Sequence, residues 1–431
     1  MIVFAPSITG PLYSISESGG VPAQVTSIAR QGSGQRHAWP FFLPDGKHFL
    51  YSVDRSTPED VQRNGIYVGS LDQSAPKLLS SELIGNVAFA AGHLLYGQDR
   101  SLRAQAFDVD RLQSSGNAAS VAEQELQVDA GLFHSEFSVS QNGVLVFQSL
   151  ADSVSRLTWF GRSGNELGQI AEAGYVDPRL SPDGRFVAVS SDDARNGKLF
   201  IRIYDLARSL ATRLTEGASD ESPVWSRDGG KLAYGAFDGK SHFIKRVPSD
   251  TSGPPEIMLT GTAIMRHLDW SADGHLVFSD FSTGLPILKI YSAANNQVES
   301  FTQGAEARFS PDGKWIAFVI AGSTGIFVQP FPGPGGRIGI SGTGAQPTWS
   351  RDGKEIYYIA PDRKLMAVTF DPQHKSAGVP RVLFQTRIIA PSFFATQYDV
   401  AADGRFLINS VPANFSSPLT LLTGWTAQLK H

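Results

Sequence analysis

Ser181-Pro-Asp-Gly184, followed at once by Arg-Phe-Val-Ala-Val189, is the stretch from which the fold can be read. Pro sets φ for the first central position of a type I turn, Asp suits the second, and Gly supplies the left-handed residue that closes a bulged hairpin. Phe186-Val-Ala-Val189 is apolar at consecutive positions, hence on both faces of a strand, and so must be covered on both sides. The phrase recurs as Leu43-Pro-Asp-Gly46, Ser226-Arg-Asp-Gly229, Ser271-Ala-Asp-Gly274, Ser310-Pro-Asp-Gly313, Ser350-Arg-Asp-Gly353 and Ala401-Ala-Asp-Gly404, with weaker copies at Ala91-Gly92 and Asn142-Gly143. From Asp183 onward the Asp positions are 45, 45, 39, 40 and 51 residues apart, near the period of a propeller blade.

Each turn is followed by a second strand, as at Phe49-Leu-Tyr51, Leu232-Ala-Tyr234, Trp315-Ile-Ala-Phe318 and Ile356-Tyr-Tyr358. Third strands follow at Phe200-Ile-Arg-Ile-Tyr204, Phe243-Ile-Lys-Arg-Val247 and Ile326-Phe-Val-Gln-Pro330, and short fourth strands end near Leu214-Thr215, Leu259-Thr260 and Phe301-Thr302. The fold class is therefore all-β: a β-propeller of four-stranded antiparallel blades, with six strong C-terminal repeats and three to four weaker N-terminal ones. Residues 151–431 are expected to form a six-bladed propeller whose last blade borrows a strand from Arg156 to Ile170. Residues 1–150 are expected to form an incomplete propeller of about three and a half blades, at Trp39 to Ser80, Asn86 to Asp108 and His134 to Phe147, opened by a repeat without its first strand. One large ring of nine or ten blades is the alternative. The missing first strand implies that Met1 lies inside a longer propeller region.

Composition narrows the function. The 431 residues carry 37 Lys plus Arg against 41 Asp plus Glu, which provides no overall drive toward nucleic acid or an anionic membrane. There are no cysteines, so disulfides, thiolate metal sites and thiol nucleophiles are excluded. Apolar runs such as Trp315 to Ile320 fall far short of the roughly 20 residues that span a bilayer, and Met1-Ile-Val-Phe-Ala-Pro6 lacks the basic start of a secretory signal. A soluble chain that does not itself insert into a membrane is expected.

Aligning the six strong repeats on the residue before the turn gives a register for the innermost strand. Four residues earlier stand Asp177, Ser222, His267, Glu306, Gln346 and Gln397; two earlier stand Arg179, Val224, Asp269, Arg308, Thr348 and Asp399. One earlier stand Leu180, Trp225, Trp270, Phe309, Trp349 and Val400. Alternate residues of a strand share a face, so the polar set is expected to line the central channel, with the large apolar set turned away. Asp177, Arg179, His267, Asp269, Glu306, Arg308, Gln346, Gln397 and Asp399 are thus the candidate ligand-binding residues. In a six-blade ring Arg179 would face Arg308 and Asp269 would face Asp399. Such a channel suits a zwitterionic or peptide ligand; alternatively the charges pair with one another and with trapped water.

No motif of catalysis stands out. Gly-x-Ser-x-Gly is absent, its nearest approach being Gly339-Ile-Ser-Gly-Thr343, which is read as a propeller loop. The nine histidines include no His-Glu-x-x-His, and Asp192-Asp193 and Asp220-Glu221 read as solvated turns and caps rather than calcium ligands. No P-loop or kinase motif is present. The expectation is a protein that is not an enzyme and uses no metal or cofactor.

The Ser-Pro-Asp-Gly repeats resemble the WD40-like repeats of the TolB propeller family. Five blocks in order resemble more closely the propeller region that follows the kinase domain of many bacterial serine/threonine protein kinases: Trp39-Pro-Phe-Phe-Leu-Pro-Asp-Gly46, Gly65-Ile-Tyr-Val-Gly-Ser-Leu71, Gln329-Pro-Phe-Pro-Gly-Pro-Gly-Gly336, Gly378-Val-Pro-Arg-Val-Leu-Phe384 and Gly424-Trp-Thr-Ala427. That resemblance implies an extracytoplasmic sensor joined through a membrane helix to a kinase domain in a longer parent protein; this sequence contains neither of those parts, and a free-standing propeller would be cytoplasmic. The functional expectation is a binding or sensor propeller for a peptide, glycan or protein. The alternatives are a scaffold for protein assembly and, further off, a propeller-based hydrolase or lyase.

Overall fold

The computed structural model describes residues 1–429 apart from 8–9, 29–34, 55–61, 82–84, 99–100, 123–125, 127, 130–133, 150–154, 193–198, 218, 239, 283–284, 321–324, 334, 389–394, 414 and 416–418. The chain forms two compact units, Met1–Ser153 with Phe415–His431, and Val154–Asn414. Among the described residues no helix is long and apolar enough to cross a membrane.

Among its described residues the second unit consists of six antiparallel sheets. Four follow chain order through strands that begin with Tyr175–Leu180, Ser219–Trp225, Met265–Trp270 and Ala305–Phe309. The fifth begins with Ala345–Trp349, and its outer position is shared by Ser376–Ala377 and Arg381–Gln385, both paired with Lys364–Asp371. The sixth is assembled from both ends of the unit: Tyr398–Val400 pairs with Phe406–Ser410, which pairs with Arg156–Phe160, which pairs with Glu166–Ala173. The strand expected from the Arg156 region is the one supplied.

The innermost strands lie against one another in a closed circle, each against the next and Tyr398–Val400 against Tyr175–Leu180. One apolar cluster fills each gap between consecutive sheets. Between the first and second sheets, for example, Ile201 and Ala188 meet Trp225, Leu232 and Tyr234. This is why the second strands are apolar on both faces: Trp315–Val319 is buried at all five positions. Full burial of one such aliphatic or aromatic side chain stabilises by about 1.5–3 kcal/mol, so the sheet interfaces dominate the favourable terms.

The first unit holds Ile2–Phe4, Tyr13–Ile15 and Ala23–Gln24 as one three-stranded sheet, then four-stranded sheets beginning at Arg36–Phe42 and Val87–Ala90. The strands Phe137–Val139 and Leu145–Gln148 are completed by Leu419–Leu422. Here the fold departs from the sequence reading, which carried the second propeller to residue 431. Leu419–Leu422 pairs with Leu145–Gln148, and the fully buried Trp425 sits among Leu95, Leu145 and Phe147, so residues 415–431 belong to the first unit.

The recurring turn owes its strength to the Ser that precedes it. Ser181 Oγ donates to Asp183 Oδ1 (2.6 Å) and accepts from Phe186 N (2.9 Å), while Gly184, at φ 70°, donates its N–H to Ser181 O. Ser310 and Ser350 repeat the arrangement with Asp312 and Asp352. Ser181→Ala removes both hydroxyl bonds at a position only 2% exposed, and should lower unfolding free energy by about 1–2 kcal/mol in urea titrations. The same change at Ser226, whose hydroxyl bonds lie in an exposed turn, should cost less; equal and negligible effects would show that the hydroxyl does not fasten the turn.

Candidate functional site

The channel of the second unit is lined by innermost strands that are not regular. Pairing slips between Val176 and Arg179, Glu221 and Val224, Arg266 and Asp269, Ala305 and Arg308, and Ala345 and Thr348. At each slip one non-glycine residue is left-handed: Asp177, Ser222, His267, Glu306 and Gln346, all at φ 54–56°. Trp39 does the same in the first unit, beside a slip between Ala38 and Phe41. A bulge adds a residue to one strand and turns its backbone out of the ladder, so the alternation assumed from sequence fails between the two polar sets. They do different things.

The earlier set fastens sheet to sheet. Gln346 N donates to Glu306 Oε2 (2.6 Å) and Gln397 N to Gln346 Oε1 (2.9 Å). Thr396 N donates to Asp177 Oδ1 (2.6 Å), and Asp177 N to Thr396 O. Ser190 Oγ joins Asp177 Oδ2 (3.3 Å) to Ser222 N (3.2 Å), and His267 Nδ1 lies 3.2 Å from Ser279 Oγ. In each sheet-to-sheet bond a backbone N–H displaced by a bulge or by strand entry is met from the neighbouring sheet, as a buried donor requires. Burial pushes the Asp177 carboxyl above its usual range, against the pull of the Thr396 amide, and pushes Glu306 up to about 7. Nearby Glu221 is also raised by burial, although it pairs with Arg266 at 2.6 Å.

The later set gathers at one mouth of the channel, the end carrying the turns. Asp269 accepts from Arg179 Nη2 (2.9 Å) and Phe309 N (2.8 Å); Asp399 accepts from Leu180 N (2.7 Å) and Val400 N (2.9 Å). Arg179 and Asp269 thus meet as a contact of opposite charges between the first and third sheets. Arg308 donates to the carbonyls of Ala307 (3.2 Å) and Leu268 (3.4 Å) and to Thr396 Oγ1 (3.1 Å). Burial and the like charge of Arg179 bring its guanidinium down to about 10, opposed by Asp269, Asp399 and Asp177.

These groups surround a concavity of about 110 Å³ that also includes Trp225, Trp270, Trp349, Arg227 and Arg351. Trp225 and Trp349 belong to the apolar clusters between sheets, on the face the sequence reading gave them, yet they also border the mouth, where they donate Nε1–H to the carbonyls of Arg179 and Arg308 in the preceding sheets. Arg227 and Arg351 went unnoticed although both stand at the turn position held elsewhere by Pro182 and Pro311. Beneath the mouth lies a second space of about 10 Å³ lined by Asp177, His267 and Thr396, near the least that holds one water. Arg179 and Arg308 border both spaces and form the floor between them.

The near-match around Ser341 lies on the strand Ile338–Ser341 rather than in a loop. Asp220 accepts from Gly217 N, and Glu221 pairs with Arg266; Asp193 lies outside the described residues.

No protein-family model matches the chain. In sequence it is similar to "Uncharacterized peptidase YuxL" of Bacillus subtilis (strain 168), 29% identical over 150 residues; the match covers 33% of this chain and only 21% of that protein. Solved structures similar to it include a putative TolB from Agrobacterium tumefaciens (TM-score 0.47, 17% identity, 63% of this chain and 99% of that one) and TolB from Acinetobacter baumannii (0.43, 15%, 69% and 82%). A puromycin hydrolase is another (0.42, 16%, 74% and 57%). The likeness to a peptidase corrects the expectation that the chain is not an enzyme. That expectation took the lack of a recognisable catalytic motif as the lack of catalysis, and the relative is a peptidase matched over a fraction of its length.

Glu306 yields a pH prediction. Its folded-state pKa, about 7, lies above the ordinary glutamate value of 4.5, so the folded state binds the proton more tightly than the unfolded one. Stability attributable to this group is greatest below about pH 4.5, declines between about 4.5 and 7, and is then lost by up to about 3 kcal/mol. Glu306→Gln keeps an acceptor for Gln346 N without the charge. It should melt above the parent at pH 8 and converge with it near pH 5; a difference independent of pH would exclude a buried ionising group here.

Proposed function

We propose that this chain is a peptide-recognising propeller of a peptidase-type protein, holding peptide or protein segments at the mouth of the channel in its second unit. The mouth carries this reading: a concavity of about 110 Å³ walled by three tryptophans, with Arg179, Asp269, Arg308 and Asp399 converging on it. Aromatic walls with a few fixed polar groups are what small-ligand sites use to gain area and orientation. The volume fits a peptide terminus or one side chain, not a folded surface. The sequence likeness to a peptidase supports a role in peptide processing.

Short-peptide libraries titrated against the chain, followed by tryptophan fluorescence and thermal shift, test the proposal. Binding is expected, and Trp270→Ala, which removes a partly exposed wall of the mouth, should weaken it about tenfold or more. Mass spectrometry of the same mixtures reads whether the chain cleaves what it binds. No binding by the folded chain across the libraries would overturn the proposal. A second reading, the sensor region of a receptor-type serine/threonine kinase, draws on the five blocks beginning at Trp39, Gly65, Gln329, Gly378 and Gly424; a kinase-encoding frame continuous with this one in the source DNA would favour it.

A further inference from the structure

We infer that Arg308 receives a carboxylate of the peptide ligand at the floor of the mouth. The inference rests on the peptide-recognition reading above and specifies the chemistry the ligand must carry. Four arginines, Arg179, Arg227, Arg308 and Arg351, line the mouth against two aspartates, Asp269 and Asp399. The site thus has an excess of two positive charges in a chain whose formal net charge is −4.

Both aspartates are engaged elsewhere. Asp269 is held by Arg179 Nη2 and Phe309 N, and Asp399 by two backbone amides. Among the described residues Arg308 has no carboxylate within ion-pair distance; its partners are two carbonyls and a hydroxyl, and its Nε–H, buried, has no acceptor. The residue is 6% exposed. A guanidinium offers five N–H groups in a planar fork, and the edge formed by Nε and one Nη matches the two oxygens of a carboxylate. Leaving Nε–H without an acceptor on a buried cation that faces no carboxylate is costly, and an arriving carboxylate would remove the cost.

The shape of the site agrees with the charge. The space below Arg179 and Arg308 shrinks to about 10 Å³, so a ligand entering from the turns meets the floor there and cannot thread through it. A group that ends a chain or a side chain is the one that reaches such a floor. At the rim Arg227 reaches the Pro311 carbonyl and Arg351 that of Val400, and their charges favour the approach of an anion.

The test compares N-acetyl-tetra-alanine with a free terminal carboxylate, its C-terminal amide, and an amidated peptide of the same length with one internal glutamate. The wild-type chain should bind at least one of the two acids about tenfold or more tightly than the neutral amide. Preference for the free acid alone identifies a chain terminus, and equal preference for the glutamate peptide identifies a side chain; both sustain the inference. Arg308→Gln should abolish the discrimination, and Arg308→Lys should restore part of it. Should these variants fail to fold, the comparison on the wild-type chain still decides. Equal affinity for all three peptides overturns the carboxylate site while peptide recognition stands, whereas absence of binding by these and by the libraries removes both.

Discussion

The left-handed residue in five of the innermost strands is the constraint on which the channel of the second unit depends. Asp177, Ser222, His267, Glu306 and Gln346 all adopt it although none is glycine, at a steric cost of roughly 1–2 kcal/mol each. A conformation of that kind persists only where its surroundings over-determine it. Here the surroundings are the next sheet: N–H groups turned out of their own ladder at the bulges find acceptors across the gap on Glu306 and Ser190, as does that of Gln397, at the entry to its strand, on Gln346. The polar side chains around the axis thus complete the main-chain hydrogen bonding of a neighbour. They hold the circle at its narrow centre, where little apolar surface is available, while the clusters between sheets hold it further out.

That use of the acids shapes the electrostatics. Asp177, Glu306 and Asp399 accept from backbone amides, and only Asp269 also takes an arginine. Buried carboxyls are driven toward neutrality, as the upward displacement of Asp177 and Glu306 indicates, whereas an arginine gives up its proton only with great difficulty. The deeper channel is therefore less negative than a count of its residues implies.

What could be read in the sequence was what local chemistry alone determines. Ser181-Pro-Asp-Gly184 forms its turn from its own atoms, so the turn, the strand after it and the repeat were legible wherever the phrase appears. The contribution of Arg156–Phe160 to the last sheet was legible because a ring of six repeats leaves the last blade to borrow a strand from the segment before the first. The bulges were not, because a period of two is the only signal a strand gives, and nothing in Glu306 or Gln346 announces a positive φ. The second role of the tryptophans was not legible either: Trp225 and Trp349 keep the apolar face between sheets, and only the assembled circle brings them also to the rim of the mouth. Residues 415–431 were misassigned because the partner of Leu419–Leu422 lies some 270 positions away in sequence, a pairing no local pattern records.

The sixth sheet also determines how the second unit is attached to the rest of the chain. Its first strand and its last are paired, with Arg156 opposite Ser410, so the polypeptide enters and leaves the unit about 5 Å apart. The first unit is itself discontinuous, resuming at Phe415. The second unit is thus an insertion whose ends occupy no more room than a hairpin loop. Domains with adjacent termini are the ones that tolerate transplantation, and the pairing of Arg156 with Ser410 gives this unit that topology.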